Sequence, residues 1–340
     1  MATIKDIARL SGYSIGTVSR VINNKADVSQ EARQRIEHVI RDLNFQPNSN
    51  ARQLKNSSPS GITVIVRGMN NSFLVSILEE LQFRMREHRE NVGVQFLDET
   101  EDEVSTAIQL LSTAKPKGFI FLGGSTESFR NSFEEITVPC VLVTGDASSL
   151  GYENLSSFTT DDFSASAFAL NKLIELGHRE IGIIGGYPVP YPEDNSTRRI
   201  DGALSAIKDA GLDFDRAADY EPCPFSMQDG YDAAERLLRR RPSITGIFAV
   251  SDTVAFGAMR YLADSGRSVP GDVSVIGYDG IDGTSFSHPR LSTVRQNVEE
   301  LASRSVDDLL LRINYERPAV HAYIPFSYVT GESVAPPKQI

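Results

Sequence analysis

The stretch from residue 4 to residue 24, IKDIARLSGYSIGTVSRVINN, decides the fold of the N-terminal region. Thr3 and Asp6 form a capping box that predicts a short first helix. A Ser-Gly-Tyr sequence then breaks the helical pattern, and Ser14 is placed to cap a second helix that buries Val18. Two short helices joined by a turn that contains glycine are typical of a helix-turn-helix.

A third helix completes this N-terminal unit, which we expect to span residues 1–46. Ser29 is the predicted N-cap, and the apolar residues that follow recur at helical spacing, at Ile36, Val39, Ile40 and Leu43. Residues 12–16, GYSIG, also match the G-x-S-x-G pattern of hydrolases. That pattern needs a strand before the serine, whereas a helix is predicted here, so Ser14 is interpreted as a helix cap.

The charge of the chain divides unevenly. Its 340 residues include 34 Lys and Arg and 45 Asp and Glu, and a net charge of −11 argues against a protein that coats nucleic acid over its whole surface. Residues 1–60, however, hold nine basic and five acidic residues, a net charge of +4, which leaves −15 for the remainder. Such an asymmetry indicates a nucleic-acid-binding module attached to an acidic body.

Several classes of protein are excluded by composition. The two cysteines, Cys140 and Cys223, are too few for a disulfide framework or a cysteine-rich zinc site, so no metal is predicted and a reducing cytoplasm is the expected compartment. No apolar run is long enough to span a membrane, and the N-terminus lacks the apolar core of a signal peptide.

The body alternates between strand-like apolar runs and amphipathic helical segments, which predicts an α/β fold of two lobes with doubly wound parallel sheets. The expected strands are 62–66, 92–97, 119–122, 141–144, 181–184, 247–250 and 273–276. Ligands of such sheets bind beyond the carboxyl ends of strands. Polar residues that follow strand-like runs include Asp161, Ser251, Asp279 and Gln296, whereas Asp252 is interpreted as a helix N-cap. No G-x-G-x-x-G turn is present, so no cofactor is predicted.

The segments 4–8 (IKDIA), 17–24 (TVSRVINN) and 45–48 (FQPN) resemble the headpiece of the lactose/galactose repressor (LacI/GalR) family of bacterial transcription regulators. The resemblance implies that the second helix enters the major groove and that three residues read base edges there, namely Ile15, Gly16 and Arg20. An arginine suits a bidentate contact with guanine. Five further side chains carry donors suited to phosphate oxygens: Thr3, Ser14, Thr17, Ser19 and Asn23.

Residues 47–60 are expected to form a hinge. Residues 51–55 (ARQLK) resemble the hinge helix of the same family, in which a leucine wedges into the minor groove. Leu54 is the expected wedge and Lys55 a further DNA contact, although Leu54 packed against the body remains an alternative. A helix this short is unstable alone, so it is expected to melt away from DNA.

The resemblance continues through residues 61–340 and implies a periplasmic-binding-protein-like core that also dimerises. Lobe one is expected at about 61–161 and 294–325, and lobe two at about 162–293 and 326–340. The residues implied to line the cleft between the lobes are Ser72, Phe73, Asp161, Arg199, Phe225, Ser251, Asp279 and Gln296. Three alternatives stay open: Arg199 and Asp279 as a structural ion pair, Phe225 as core, and Asp161 as a hinge residue.

These observations predict a homodimeric repressor of carbohydrate-utilisation genes. It is expected to bind a pseudo-palindromic operator DNA and to respond to a small effector, a mono- or disaccharide. Within the family, a nucleobase or a phosphocarrier protein acting as corepressor is the alternative effector. A sugar-binding receptor without a DNA role and an α/β hydrolase or dehydrogenase are the rivals from other classes, and no enzymatic activity is predicted.

Overall fold

The computed structural model describes residues 10–14, 17–18, 21, 29–42, 61–68, 71–98, 101–124, 126–187 and 194–338. Packing divides the chain into two units, Met1–Ser57 and Ser58–Ile340. Several sequence predictions lie outside the described residues: the capping box at Thr3 and Asp6, the base-reading residues, and the whole hinge.

The described part of the first unit confirms both predicted helix caps. The backbone N–H of Thr17 donates to Ser14 Oγ at 3.1 Å, and that of Ala32 donates to Ser29 Oγ at 3.3 Å. The second cap opens helix α1, Gln30–Asp42. Ile36 of this helix is fully buried, as is Val18. Ser14 therefore begins a helix, and the described residues just before it, 10–13, form a helix end and a turn and not the strand that a nucleophile elbow requires.

The described part of the second unit contains two six-stranded sheets. The strands are β1 Ile62–Arg67, β2 Val92–Leu97, β3 Gly118–Leu122, β4 Cys140–Val143, β5 Leu155–Thr159, β6 Ile181–Ile184, β7 Tyr220–Glu221, β8 Gly246–Ala249, β9 Ser274–Asp279, β10 Ser292–Arg295, β11 His321–Tyr323 and β12 Ser327–Val329. The first sheet has the order β11-β5-β4-β3-β1-β2, and all of its strand pairs are parallel. The second has the order β12-β10-β9-β8-β6-β7, in which β12 is antiparallel to its neighbour and the other pairs are parallel.

Helices cover the sheets of both lobes. In the described part of the second unit they are α2 Ser72–Glu87, α3 Glu103–Thr113, α4 Thr126–Ser132, α5 Asp162–Glu175, α6 Asn195–Asp209, α7 Arg216–Asp219, α8 Met227–Arg240, α9 Asp252–Asp264 and α10 Val298–Asn314. Central strands such as β3 and β8 are buried along their whole length because helices pack on both faces.

The chain passes between the lobes three times: after β5, after β10 and after β11. From the sequence, the chain is expected to return to lobe one at about residue 294. Because β10 pairs with β9, however, Val294 and Arg295 still belong to the second lobe. The parallel strands of each sheet present their carboxyl ends on one edge, and the loops beyond those ends form the candidate site.

Candidate functional site

A cavity of about 590 Å³ lies between the two lobes, at the carboxyl ends of their strands. Lobe one contributes Arg67, Gly68, Asn71, Phe73, Leu74, Asp102, Gly123, Gly124, Glu127, Ser128, Asn131 and Thr144. Lobe two contributes Tyr187, Asp194, Asn195, Ser196, Arg199, Phe225 and Asp279. Its size falls within the range of small-molecule sites, and its wall mixes aromatic rings with charged and amide groups.

Arg199, on α6, is the centre of a buried polar network. Its Nε donates to Asp162 Oδ1 at 2.7 Å, and its Nη1 donates to Asp279 Oδ1 at 3.2 Å and to the carbonyl of Val250 at 2.8 Å. The guanidinium carbon lies 3.8 Å from the ring centroid of Tyr278. Burial opposes the charge of Arg199, but the two carboxylates outweigh it and raise the pKa of Arg199, so the guanidinium is charged.

Asp279 ends β9 and is buried together with Arg199. Its backbone has a φ of +115°, a strained conformation for a residue with a side chain. Gln296 Nε2 donates at 2.9 Å to Asp279 Oδ1, the same oxygen that accepts from Arg199. Burial raises the pKa of Asp279, while Arg199 and Gln296 oppose that shift. Asp279 therefore pairs with Arg199 and also forms part of the cavity wall. The structural ion pair and the position in the cleft, which the sequence offered as alternatives, are both present.

Asp252 has a different role from the N-cap that the sequence predicts. Ser251 is the N-cap of α9, and its Oγ accepts from the N–H of Val254. The carboxylate of Asp252 instead accepts from the N–H groups of Gly280 and Ile281, at 2.7 and 2.9 Å, and from the hydroxyl of Thr293 at 2.6 Å. The N-cap prediction for Asp252 is wrong because the neighbouring serine takes that position, and Asp252 holds the turn that follows Asp279.

The wall from lobe one is built on helix N-termini. The Asn71 side chain accepts from the N–H groups of Phe73 and Leu74, at 3.0 and 3.4 Å, and so starts α2. Phe73 lines the cavity, although it is buried and also packs in the apolar core of lobe one. Asp102 caps α3 in the same way. Arg67, at the end of β1, lies 3.4 Å from the buried carboxylate of Glu103.

Contacts between the lobes also lie at the cavity. Asn195 Nδ2, in lobe two, donates to the carbonyl of Thr144, in lobe one. Thr144 has a φ of +72°, which is unusual for a β-branched residue. Two cavity residues, Thr144 and Asp279, thus have strained backbones, which is a feature of ligand sites and switches.

Aromatic rings line the second lobe's side of the cavity. Tyr187 and Phe225 meet edge to face, with ring centroids 5.8 Å apart. Phe225 is half-buried and also packs against the apolar core of lobe two. Phe225 therefore belongs in part to the core, as the alternative interpretation expects, and it also lines the cavity.

The structure brings half of the sequence-predicted effector residues together at the cavity: Phe73, Arg199, Phe225 and Asp279. Gln296 lies behind Asp279. The other three are outside the lining: Ser72 is the first residue of α2, Asp161 caps α5 through the N–H of Ser164, and Ser251 is buried as a cap.

Sequence reasoning missed several lining residues, among them Arg67, Asp102, Glu127, Thr144 and Asn195. Two of these obey the rule that ligands bind at the carboxyl ends of strands: Arg67 ends β1, and Thr144 comes directly after β4. Asp102 and Asn195 mark helix starts, which the same rule does not single out.

Of the ten predicted DNA contacts, the described residues include only Ser14 and Thr17. Their hydroxyls lie 2.9 Å apart, and the Ser14 hydroxyl is exposed. The others lie outside the described residues: Thr3, Ile15, Gly16, Ser19, Arg20, Asn23, Leu54 and Lys55.

Within the described residues, no group of three or more His, Cys, Asp or Glu is arranged to hold a metal ion. No helix in that same part of the chain is long and apolar enough to cross a membrane. Cys140 and Cys223 are both buried, and burial raises the pKa of the Cys223 thiol to about 12.

Comparison with known proteins agrees with this architecture. Residues 3–48 match the family of bacterial regulatory proteins named lacI, and residues 170–334 match a periplasmic binding protein-like domain. The transcriptional regulator MalR of Clostridium butyricum is 33% identical over 339 residues, which cover 97% of this chain and 98% of MalR.

Two solved structures resemble the chain with a TM-score of 0.70 and 26% identity. One is a complex of the transcriptional regulator CelR with cellobiose, which covers 98% of this chain and 100% of that one. The other is a LacI family regulator from Enterococcus faecium with bound ribose, which covers 82% of this chain and 100% of that one. From its helix-turn-helix unit, its two-lobed body and these relatives, the chain belongs to the LacI family of bacterial regulatory proteins and is a DNA-binding transcriptional regulator, not an enzyme.

Proposed function

We propose that this regulator is a repressor of carbohydrate-utilisation genes whose operator binding is switched by a small sugar in the interlobe cavity. The observation that carries the proposal is the Arg199 network: a buried guanidinium held by Asp162 and Asp279, facing a cavity with aromatic walls. CelR binds cellobiose and the Enterococcus regulator binds ribose through the same kind of fold, which supports a sugar here.

The network suits hydroxyl groups because guanidinium donors and carboxylate acceptors lie side by side. A pair of adjacent sugar hydroxyls would accept from Arg199 and donate to Asp279. Phe73 from lobe one and Phe225 from lobe two would cover the apolar faces of the ring, which a planar nucleobase would also allow. Amide groups such as Asn71 and Asn195 supply further donors and acceptors.

The proposed switch follows from the position of the cavity between the lobes. A sugar that contacts Arg199 in one lobe and Phe73 in the other binds best to one relative arrangement of the lobes, and so shifts the population toward it. A hundredfold change in operator affinity needs only about 2.7 kcal/mol of coupling. The hinge, which carries Leu54, is the proposed element that reads this change.

Homodimerisation is part of the same proposal. One headpiece makes few base contacts, and two of them on a pseudo-palindrome gain from avidity. The Phe286 side chain, in the loop after β9, is 87% exposed, which is unusual for a phenylalanine. We infer that Phe286 lies in the dimer interface. In a sedimentation experiment, Phe286→Ser should therefore shift the protein from dimer toward monomer. Tyr315→Ser, at another exposed aromatic residue, should leave the dimer unchanged.

The experiment that tests the effector proposal is a thermal-shift screen of the full chain with neutral mono- and disaccharides, since a ligand of the folded state raises its stability. At least one sugar should raise the melting temperature of the wild type but not of Asp279→Ala. Asp264→Ala, at an exposed carboxylate of α9 paired with Arg260, is the control and should keep the response. A panel in which only nucleobases stabilise the protein would contradict the sugar proposal.

A further inference from the structure

Deepening the proposed function on which it rests, we propose that the interlobe cavity admits uncharged sugars and rejects their phosphate esters. This distinction defines the chemical class of the effector. The inference depends on the charges that line the cavity and on which of them are already paired.

The described lining carries more acid than base. Its basic groups are the guanidinium groups of Arg67 and Arg199. Its acidic groups are the carboxylates of Asp102, Glu127, Asp194 and Asp279. Short segments next to these positions in sequence, 69–70, 99–100, 125 and 188–193, contain no Lys, Arg or His. A phosphate group carries a charge of about −1.5 to −2 at pH 7 and needs basic partners to be held in a site.

Neither guanidinium offers uncompensated positive charge to a phosphate. Arg199 is held by two carboxylates, Asp162 at 2.7 Å and Asp279 at 3.2 Å. Arg67 is paired with the buried Glu103 at 3.4 Å. Each cation in the described lining is therefore already matched by at least one anion, so an incoming phosphate would meet no net positive charge at either position.

Helix N-termini are the other common binding element for anions. The start of α2 at the cavity is capped by the neutral Asn71 and has no acidic residue in its first turn, so it keeps a partial charge of about +0.5.

The starts of α3 and α6, in contrast, are compensated by carboxylates. The free amides of α3 donate to the Asp102 carboxylate, at 2.8 Å from Val104 and 3.1 Å from Ser105. Asp194 stands at the start of α6, where its Oδ2 accepts from the Ser196 hydroxyl at 2.6 Å. A helix end of about +0.5 beside a full carboxylate leaves each position negative by about 0.5 charge. These two ends therefore repel an anion, and together they outweigh the half positive charge at the start of α2.

An uncharged sugar meets none of this repulsion, because its hydroxyls can donate to every carboxylate in the wall. Two negative unit charges a few ångströms apart repel each other by about 1 kcal/mol in water, and by more in a partly dry cleft. With more than one carboxylate facing the phosphate, we expect a phosphate ester to bind at least about tenfold more weakly than its parent sugar.

The test compares matched pairs at low ionic strength with the full chain: cellobiose, maltose, trehalose and glucose, each against its 6-phosphate ester. Isothermal titration gives both dissociation constants for each pair. A parent sugar that binds at least about tenfold more tightly than its ester supports the inference. An ester that binds as tightly as the parent, or more tightly, overturns it and leaves the sugar-effector proposal standing.

A double variant with neutral side chains tests whether the lining carboxylates cause the preference for the parent sugar over its phosphate ester. Glu127→Gln combined with Asp194→Asn removes two lining charges while keeping hydrogen-bond acceptors, and should reduce the preference for the parent sugar to a few-fold. Glu134→Gln with Asp209→Asn makes the same charge change at exposed residues outside the lining and should keep the wild-type preference. An equal reduction in both double variants would overturn the assignment to the wall. Binding of neither member of any pair would instead refute the sugar effector itself.

Discussion

The buried cation Arg199 should dominate the stability of the second lobe. In Arg199→Met, Asp162 and Asp279 lose their common partner while remaining almost fully buried, with side chains 3% and 6% exposed. Removing one partner of a buried ion pair costs about 3–5 kcal/mol, because an uncompensated charge stays inside. We expect a loss of that size in the free energy of unfolding at pH 7, without ligand.

The loss should depend on pH in a defined direction. The pKa of Asp279 is already raised to about 6, and removing Arg199 raises it further. A carboxyl whose pKa is higher in the folded state stabilises the fold fully below its unfolded pKa, about 3.9, and loses that contribution as the pH rises through the folded value. The difference between variant and wild type should therefore be small near pH 4 and reach its maximum above pH 6.

Urea denaturation followed by circular dichroism measures this difference, and the chain has no tryptophan whose fluorescence would serve instead. Arg198→Met is the matched control on the same helix. Its side chain is 34% exposed and lies 3.8 Å from Asp161, so its loss should cost less than about 1 kcal/mol. Equal, small losses for both variants, or a difference that does not change with pH, would refute the assignment of the Arg199 network as a buried charge cluster.

Three further predictions concern the N-terminal unit. Ser14→Ala removes the acceptor of the Thr17 N–H and should lower the stability of the headpiece by about 1 kcal/mol, measured by thermal denaturation; Ser14→Asp, which keeps a capping oxygen, should restore it. Leu54→Ala should weaken specific operator binding in fluorescence anisotropy but leave sugar affinity unchanged, and equal loss of both would contradict the hinge assignment. Operator affinity should fall by orders of magnitude between low and moderate salt, because phosphate contacts release counterions, and a salt-independent affinity would rule those contacts out.

Much of the fold was predictable because its strands are continuous apolar runs bounded by turns. The bounds of β2 and β6 agree residue for residue with the predicted runs. Ser14 and Ser29 were predictable as caps because their chemistry is local. Two short strands, β7 and β12, lack such a run and exist through pairing with β6 and β10, which one segment of sequence does not encode.

The candidate site was predictable only in part. Arg199 and Asp279 were found through strand ends and family resemblance, but the pair of Arg67 and Glu103 depends on how β1 meets α3. Asp252 shows the limit of local reasoning most clearly. Either of two adjacent residues, Ser251 or Asp252, has the chemistry of a cap, and only the tertiary position of the turn after Asp279 decides between them.

Control of operator binding by one small molecule in the interlobe cavity can be measured by fluorescence anisotropy. The full chain is titrated onto an operator selected from random DNA, with and without the sugar that stabilises the protein. The selected operator should be pseudo-palindromic, and the sugar should change the affinity of the wild type by at least about tenfold while leaving that of Asp279→Ala unchanged. An operator affinity that is the same with and without the bound sugar would contradict the account.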